Sequence, residues 1–80
     1  MNNMKIEILG TGCAKCDKTK RFVEEAVAKA GVDAEIVKVE DMDDIIAYGV
    51  LITPAVVVDG DVKIVGRVPK VEEVIEWITQ

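Results

Sequence analysis

Two cysteines with two residues between them, Cys13 and Cys16, are the side chains in this sequence best suited to chemistry. They are its only cysteines, and the chain has no histidine. A Cys-x-x-Cys pair closes a small disulfide ring and can exchange between dithiol and disulfide forms. The pair follows an apolar run, residues 6–9, and opens a helical pattern, which is the context that makes such a pair informative. The sequence therefore predicts a redox pair at the start of a helix.

The two thiols of this pair are predicted to have different roles. Cys13 lies at the helix N-terminus, where backbone N–H groups and the helix dipole favour a thiolate and lower its pKa below ~8.5. The positive charge of Lys15 adds to this effect, so Lys15 is predicted to tune the pKa. Cys16 points inward, on the apolar stripe that also carries Val23. We therefore expect Cys13 to be the attacking nucleophile and Cys16 the resolving thiol.

Metal binding is the main alternative use of the same thiols. A copper(I) ion accepts two thiolates readily, whereas zinc usually takes four ligands and would need carboxylates or a second chain. Copper-chaperone domains also carry a Cys-x-x-Cys loop after their first strand, but they end in a strand, and they have a methionine where this chain has Thr11. A metal carrier or sensor remains the alternative, and a static disulfide or two ordinary buried thiols are further alternatives.

Length and charge set the class of protein. Eighty residues, half of them apolar, make one small domain, residues 1–80, with a modest core. The net charge of −5 argues against nucleic acid as a partner. No run approaches the ~20 apolar residues of a membrane span, and the N-terminal residues show no signal-peptide pattern. We expect a cytoplasmic protein, a compartment in which a catalytic thiol pair is more usual than a structural disulfide.

Hydrophobic periodicity predicts an α/β fold in the order β-α-β-α-β-β-α. A strand, a helix and a strand in succession imply a parallel pair with a right-handed crossover. Asp59-Gly60 is a strong hairpin signal that adds an antiparallel strand. The predicted elements are strands at 5–9, 33–39, 55–58 and 62–65, and helices at 14–30, 40–48 and from about 70 onward.

The chain resembles the thioredoxin superfamily, and in particular the small glutaredoxin-sized redox-active disulfide proteins of archaea and bacteria. Four features carry the resemblance across nearly the whole chain. They are the Cys-x-x-Cys loop after the first strand, Thr53-Pro54 before the third, the Asp59-Gly60 hairpin followed by Gly66, and the terminal helix.

The resemblance implies a fold, a reaction and a substrate site. The implied thioredoxin-like fold has a four-stranded mixed sheet in the order 2-1-3-4, flanked by three helices with the first and last on one face. Pro54 is expected to follow a cis peptide bond and to face the cysteines, while the backbone at Thr53 pairs with an extended substrate. Gly66 is expected to belong to the same substrate-binding surface. The implied activity is reduction of protein disulfides without a cofactor other than the Cys13–Cys16 disulfide itself. The implied partners are disulfide-containing proteins and an upstream thiol reductase, and the implied state is a monomer.

The sequence also departs from the superfamily pattern. Gly12 replaces the tryptophan that thioredoxins have before the first cysteine, and Ala14-Lys15 replaces Gly-Pro between the two. Arg67 follows Gly66 where glutaredoxins have residues that help to hold glutathione, and it is either a solvated loop charge or an anion-binding group. The buried acid found near thioredoxin active sites has no clear match. A non-catalytic module that binds a partner through the Thr53-Pro54 edge is therefore a third hypothesis.

Overall fold

The structure is a computed structural model that describes residues 4–12 and 14–79. Within these residues the order of elements agrees with the predicted β-α-β-α-β-β-α arrangement. In chain order they are β1 (Met4–Leu9), α1 (Ala14–Ala30), β2 (Ala34–Val39), α2 (Met42–Ala47), β3 (Ala55–Val58), β4 (Asp61–Val65) and α3 (Val71–Ile78). None of the described helices is long and apolar enough to cross a membrane.

The four strands form one mixed sheet in the order β2-β1-β3-β4, which confirms the predicted topology. β1 runs parallel to β2, with their pairing extending from Met4 opposite Ala34 to Leu9 opposite Val39. β3 is antiparallel to both β1 and β4. β1 is therefore central, and the loop that follows it leaves the sheet between β2 and β3.

The two faces of the sheet carry separate apolar clusters. Alternation along β1 sends Ile6 and Ile8 to one face and Leu9 to the other. The first face packs against α1 and α3, and the second against α2, as the sequence predicted. The buried members of the first cluster are Ile6, Ile8, Val23, Ala26, Val56, Val58, Val74 and Ile78. Those of the second are Leu9, Ile45, Val50, Ala55 and Val57.

Helix α1 is the element that places the resolving cysteine. Its buried residues are Cys16, Thr19, Val23 and Ala26, which recur at three and four residues along one stripe. Val23 and Ala26 join the first cluster, and burial of a side chain such as valine is worth about 1.5–3 kcal/mol. Packing of the later turns therefore fixes the orientation of the first turn, and Cys16 is directed inward.

A two-residue turn brings β4 beside β3. Asp59 and Gly60 have φ angles of 48° and 87°, and positive values at both positions are what a tight hairpin turn requires. The returning strand ends at Gly66, whose N–H donates to the Pro54 carbonyl over 2.8 Å. The hairpin thus joins Gly66 to the start of β3, although 12 residues separate Gly66 from Pro54 in the chain.

Candidate redox site

Cys16 is fully buried at the start of α1. It lies three residues before Thr19, whose hydroxyl donates to the Lys15 carbonyl over 2.7 Å. Threonine in a helix commonly bonds the carbonyl four residues earlier, and this bond satisfies a buried hydroxyl without a partner from outside the helix. The thiol of Cys16 is therefore shielded from solvent, as a resolving thiol must be.

Gly10 makes room for the sulfur of Cys16. It is buried at the end of β1, and its N–H donates to the Val39 carbonyl over 3.0 Å, which continues the pairing with β2. A Cβ atom at this position would overlap the Cys16 Sγ. The same point lies 3.8 Å from the Cβ of Thr53. Cys16, Gly10 and Thr53 therefore meet at one place, where the first turn of α1 approaches the segment before β3.

Thr53 and Pro54 lie immediately before β3. The peptide bond that joins them is cis. Pro54 is fully buried, whereas Thr53 is partly exposed. Pairing of β3 with β1 and with β4 begins at Ala55, so Thr53 lies outside both ladders. Within the part of the chain that the structure describes, the backbone of Thr53 makes no hydrogen bond.

Gly66 completes the neighbourhood of this segment. Besides its bond to Pro54, it packs closely on Ile52, because a Cβ atom at Gly66 would lie 3.2 Å from the Ile52 Cγ2. Ile52 is 63% exposed. The structure therefore brings together Cys16, Thr53, Pro54 and Gly66 of the predicted site residues, and it adds Gly10.

Lys15 is exposed in the first turn of α1, next to Cys16. Among the described residues its ammonium has no ion-pair partner. Asp17, the acid nearest to it in sequence, instead pairs with Lys38 of β2 over 3.3 Å. That contact and a second one from Glu40 raise the pKa of Lys38. The predicted pKa-tuning role of Lys15 stays a prediction.

Cys13, the predicted nucleophile, lies outside the described residues, so its role and its pairing with Cys16 also stay predictions. Within residues 4–12 and 14–79, no group of three or more acidic or cysteine side chains is placed to hold a metal ion. The metal-carrier alternative gains no observation from that part of the chain.

Arg67 is an exposed loop residue whose charge is engaged in an ion pair. Its guanidinium donates to both carboxylate oxygens of Glu73, over 2.9 and 2.7 Å. Glu73 also accepts from the Lys70 N–H at the start of α3. These donors lower the pKa of Glu73 from its ordinary 4.5 to about 2, with Arg67 the larger cause. Arg67 therefore braces the turn after Gly66 against α3.

Glu7 is a buried acid that the sequence analysis did not identify. It lies on β1 and is only 9% exposed. Tyr48, at the end of α2, donates a hydrogen bond to its carboxylate. The sequence does contain a signal for this burial, namely an acid between Ile6 and Ile8. The strand that carries it pairs with β2 on one side and with β3 on the other. Such a strand is buried on both faces, so its polar residues need internal partners.

Comparison with known proteins agrees with this geometry. A family model described as a thioredoxin domain matches residues 4–79. A thioredoxin of Methanothermobacter thermautotrophicus is 46% identical over 71 residues, covering 89% of this chain and 92% of the relative. A thioredoxin of Methanocaldococcus jannaschii is 48% identical over 71 residues, covering 89% and 81%. A second one from that organism is 33% identical over 82 residues. The chain belongs to the thioredoxin family, a family of thiol–disulfide oxidoreductases.

Proposed function

We propose that this protein reduces disulfide bonds of other proteins with a dithiol formed by Cys13 and Cys16. The observation that carries the proposal is the shielded Cys16 sulfur, which packs against Gly10 beside Thr53. A resolving thiol needs this environment, because it must stay close to its partner while solvent and substrate are kept away. Membership of the thioredoxin family supports the same chemistry.

The proposed reaction has two exchange steps. The Cys13 thiolate attacks one sulfur of the substrate disulfide, the substrate S–S bond breaks, and the departing thiolate takes up a proton. The Cys16 thiol then loses its proton and attacks the Cys13 sulfur, which releases the second substrate thiol. Two electrons pass to the substrate, and the protein is left with a Cys13–Cys16 disulfide. An upstream thiol reductase restores the dithiol, and the cytoplasm is the compartment that suits this direction.

Thr53, Pro54 and Gly66 are proposed to bind the substrate segment. The backbone of Thr53, which has no hydrogen bond to any other described residue, supports this assignment, since an extended peptide can add to it as a further strand. Gly66 also supports the assignment, because its N–H donates a hydrogen bond to the Pro54 carbonyl and so fixes the position of the Thr53-Pro54 segment. The substrate disulfide is then held beside the first turn of α1, which contains Cys16.

Reduction of insulin in the presence of dithiothreitol tests the proposal. Cys13→Ser is expected to lower the rate to that of dithiothreitol alone, because serine cannot form the mixed disulfide. Cys16→Ser is expected to accumulate a mixed disulfide on Cys13 that mass spectrometry detects. Ala14→Ser, an exposed change between the two cysteines, is the matched control and keeps the rate. An unchanged rate in Cys13→Ser would show that the nucleophile assignment is wrong.

A further inference from the structure

We propose that the surface around this site selects protein disulfides that are flanked by an acidic and an apolar residue. The inference rests on the proposed disulfide reductase activity and names its substrate class. The surface, called the docking face below, has apolar members Leu51 and Ile52 and basic members Lys15 and Lys18.

The apolar half of the docking face is unusually exposed for side chains of this type. Leu51 is 85% exposed and Ile52 63%. Ile52 directly precedes Thr53 and packs on Gly66, and Leu51 directly precedes Ile52, so these two side chains border the Thr53-Pro54 segment. A group of exposed aliphatic residues beside a reactive site marks an interaction surface. A substrate segment that lies on Thr53 would cover them with an apolar side chain of its own.

The basic half follows from the way the charges are distributed. Four of the ten basic residues and one of the fifteen acids lie in residues 15–21. The one acid, Asp17, is held by Lys38 on the β2 side. Lys15 and Lys18 make no ion pair among the described residues, and Lys18 is held over the Phe22 ring at 5.7 Å, which keeps its charge at the surface. A chain of net charge −5 thus presents positive charge beside Cys16.

The basic residue that follows Gly66 already has a partner. Arg67, which follows Gly66, forms an ion pair with Glu73 through two hydrogen bonds. Lys15 and Lys18, next to Cys16 in α1, remain available to an incoming substrate, and complementary charge both speeds encounter and fixes orientation. A basic substrate would be repelled by Lys15 and Lys18, whereas an acidic one would be held with its disulfide over the first turn of α1.

Two synthetic peptide disulfides test the charge preference. Each is a cystine-linked dimer that carries leucine on one side of cysteine, and the other side carries glutamate in one peptide and lysine in the other. Rates of reduction by the reduced protein are divided by rates with dithiothreitol, which removes the intrinsic reactivity of each peptide. We expect the glutamate peptide to be favoured about fivefold at low ionic strength, and about equal rates at high salt, where exposed charges are screened.

Matched charge variants identify the lysines that cause the preference for the glutamate peptide. Lys15→Gln/Lys18→Gln is expected to bring the ratio of the two rates near one, even if thiol reactivity changes, because such a change alters both rates equally. Lys29→Gln/Lys63→Gln removes the same charge from exposed positions elsewhere and is expected to keep the ratio. Equal normalised rates for the two peptides in the wild type would overturn the proposed docking face. An equal loss of the rate ratio in both double variants would also overturn it. Failure to reduce either peptide would instead overturn the proposed function.

A second comparison tests the apolar half. Leu51→Ser is expected to slow reduction of the glutamate–leucine peptide about threefold, while a peptide with glycine in place of leucine is unaffected. Ile46→Ser is the control, because Ile46 is 52% exposed on α2, which packs on the other face of the sheet. The proposed apolar contact is wrong if Leu51→Ser slows the reduction of both peptides equally. It is also wrong if Ile46→Ser has the same effect as Leu51→Ser.

Discussion

The Tyr48 hydroxyl donates a hydrogen bond to the Glu7 carboxylate over 2.5 Å, and 41 residues of chain separate the two. Glu7 lies on the central strand, and Tyr48 ends α2, the short helix on the second face of the sheet. A buried carboxylate is costly unless it is hydrogen-bonded. The pair therefore satisfies Glu7 and fixes the end of the segment that leads through Val50 to Thr53.

Tyr48→Phe is expected to lower the free energy of unfolding by about 1–3 kcal/mol, because it leaves the Glu7 carboxylate without this partner. Urea denaturation measures the change. The double variant Glu7→Leu/Tyr48→Phe removes both polar groups and is expected to be more stable than the sum of the two single changes predicts. Additive effects in this cycle would show that the hydrogen bond does not couple the two residues.

The same contact makes a prediction about alkaline pH. The hydrogen bond to Glu7 is the largest cause that raises the pKa of Tyr48 above its ordinary 10.0, followed by burial. A raised pKa means that the contribution to stability is complete below pH 10.0 and is lost as the pH rises through the folded-state pKa. Tyr48 is the only tyrosine, so tyrosinate absorbance reports it alone. A midpoint at or below the value in unfolded protein would contradict the assignment.

The sequence was sufficient for the fold because its patterns agree at every level. Alternation in residues 5–9, the helical stripe from Cys16 to Ala26 and the Asp59-Gly60 turn each determine local structure. A right-handed crossover fixes how β1, α1 and β2 connect, and the resemblance to the thioredoxin superfamily supplies the order of the four strands. The role of Gly10 could not be predicted in this way. A glycine after a strand indicates a turn or a close approach, but only the packed structure shows that the approaching atom is the Cys16 Sγ.

Glu7 and Arg67 show the same limit for polar groups. Periodicity identifies which face of β1 a residue lies on, but the partner of Glu7 comes from an element 41 residues away. Arg67 and Glu73 are six residues apart across a turn, a spacing that no helix or strand rule pairs. Such contacts depend on how elements pack, so sequence patterns alone do not reveal them.

The ion pair between Arg67 and Glu73 is expected to make Glu73 titrate near pH 2. Since the pKa is lowered, its contribution to stability is present above the ordinary value of 4.5 and is lost as the pH falls toward about 2. A side-chain NMR titration measures the midpoint. Arg67→Ala is expected to raise it toward 4.5, while Lys63→Ala, a change in the neighbouring strand, leaves it in place. A wild-type midpoint near 4.5 would be inconsistent with the contact.

Gly10→Ala is expected to destabilise the protein by about 1–3 kcal/mol, because the new methyl group overlaps the Cys16 Sγ in a packed interior. Removal of the sulfur relieves the overlap, since the methyl group would lie 3.3 Å from the Cys16 Cβ. Gly10→Ala/Cys16→Ala is therefore expected to be more stable than the two single effects predict. Denaturation under reducing conditions measures the cycle, and strict additivity would disprove the contact.

Gly66→Ala and Gly60→Ala form a pair that separates backbone strain from contact with the docking face. Both glycines have φ of 87°, where alanine is strained by about 1–2 kcal/mol, so similar losses of stability are expected. They differ in their neighbours. A Cβ at Gly66 lies 3.2 Å from the Ile52 Cγ2, whereas nothing lies within 4 Å of one at Gly60.

The functional effects of the two variants should therefore differ. Gly66→Ala displaces Ile52, which borders the Thr53 backbone, and is expected to slow reduction of the glutamate–leucine peptide several-fold at a temperature where both variants are folded. Gly60→Ala is expected to match the wild-type rate, because its strain is confined to the hairpin turn at the far end of β3 and β4. Equal rates for the two variants would mean that the position of Ile52 does not influence substrate binding.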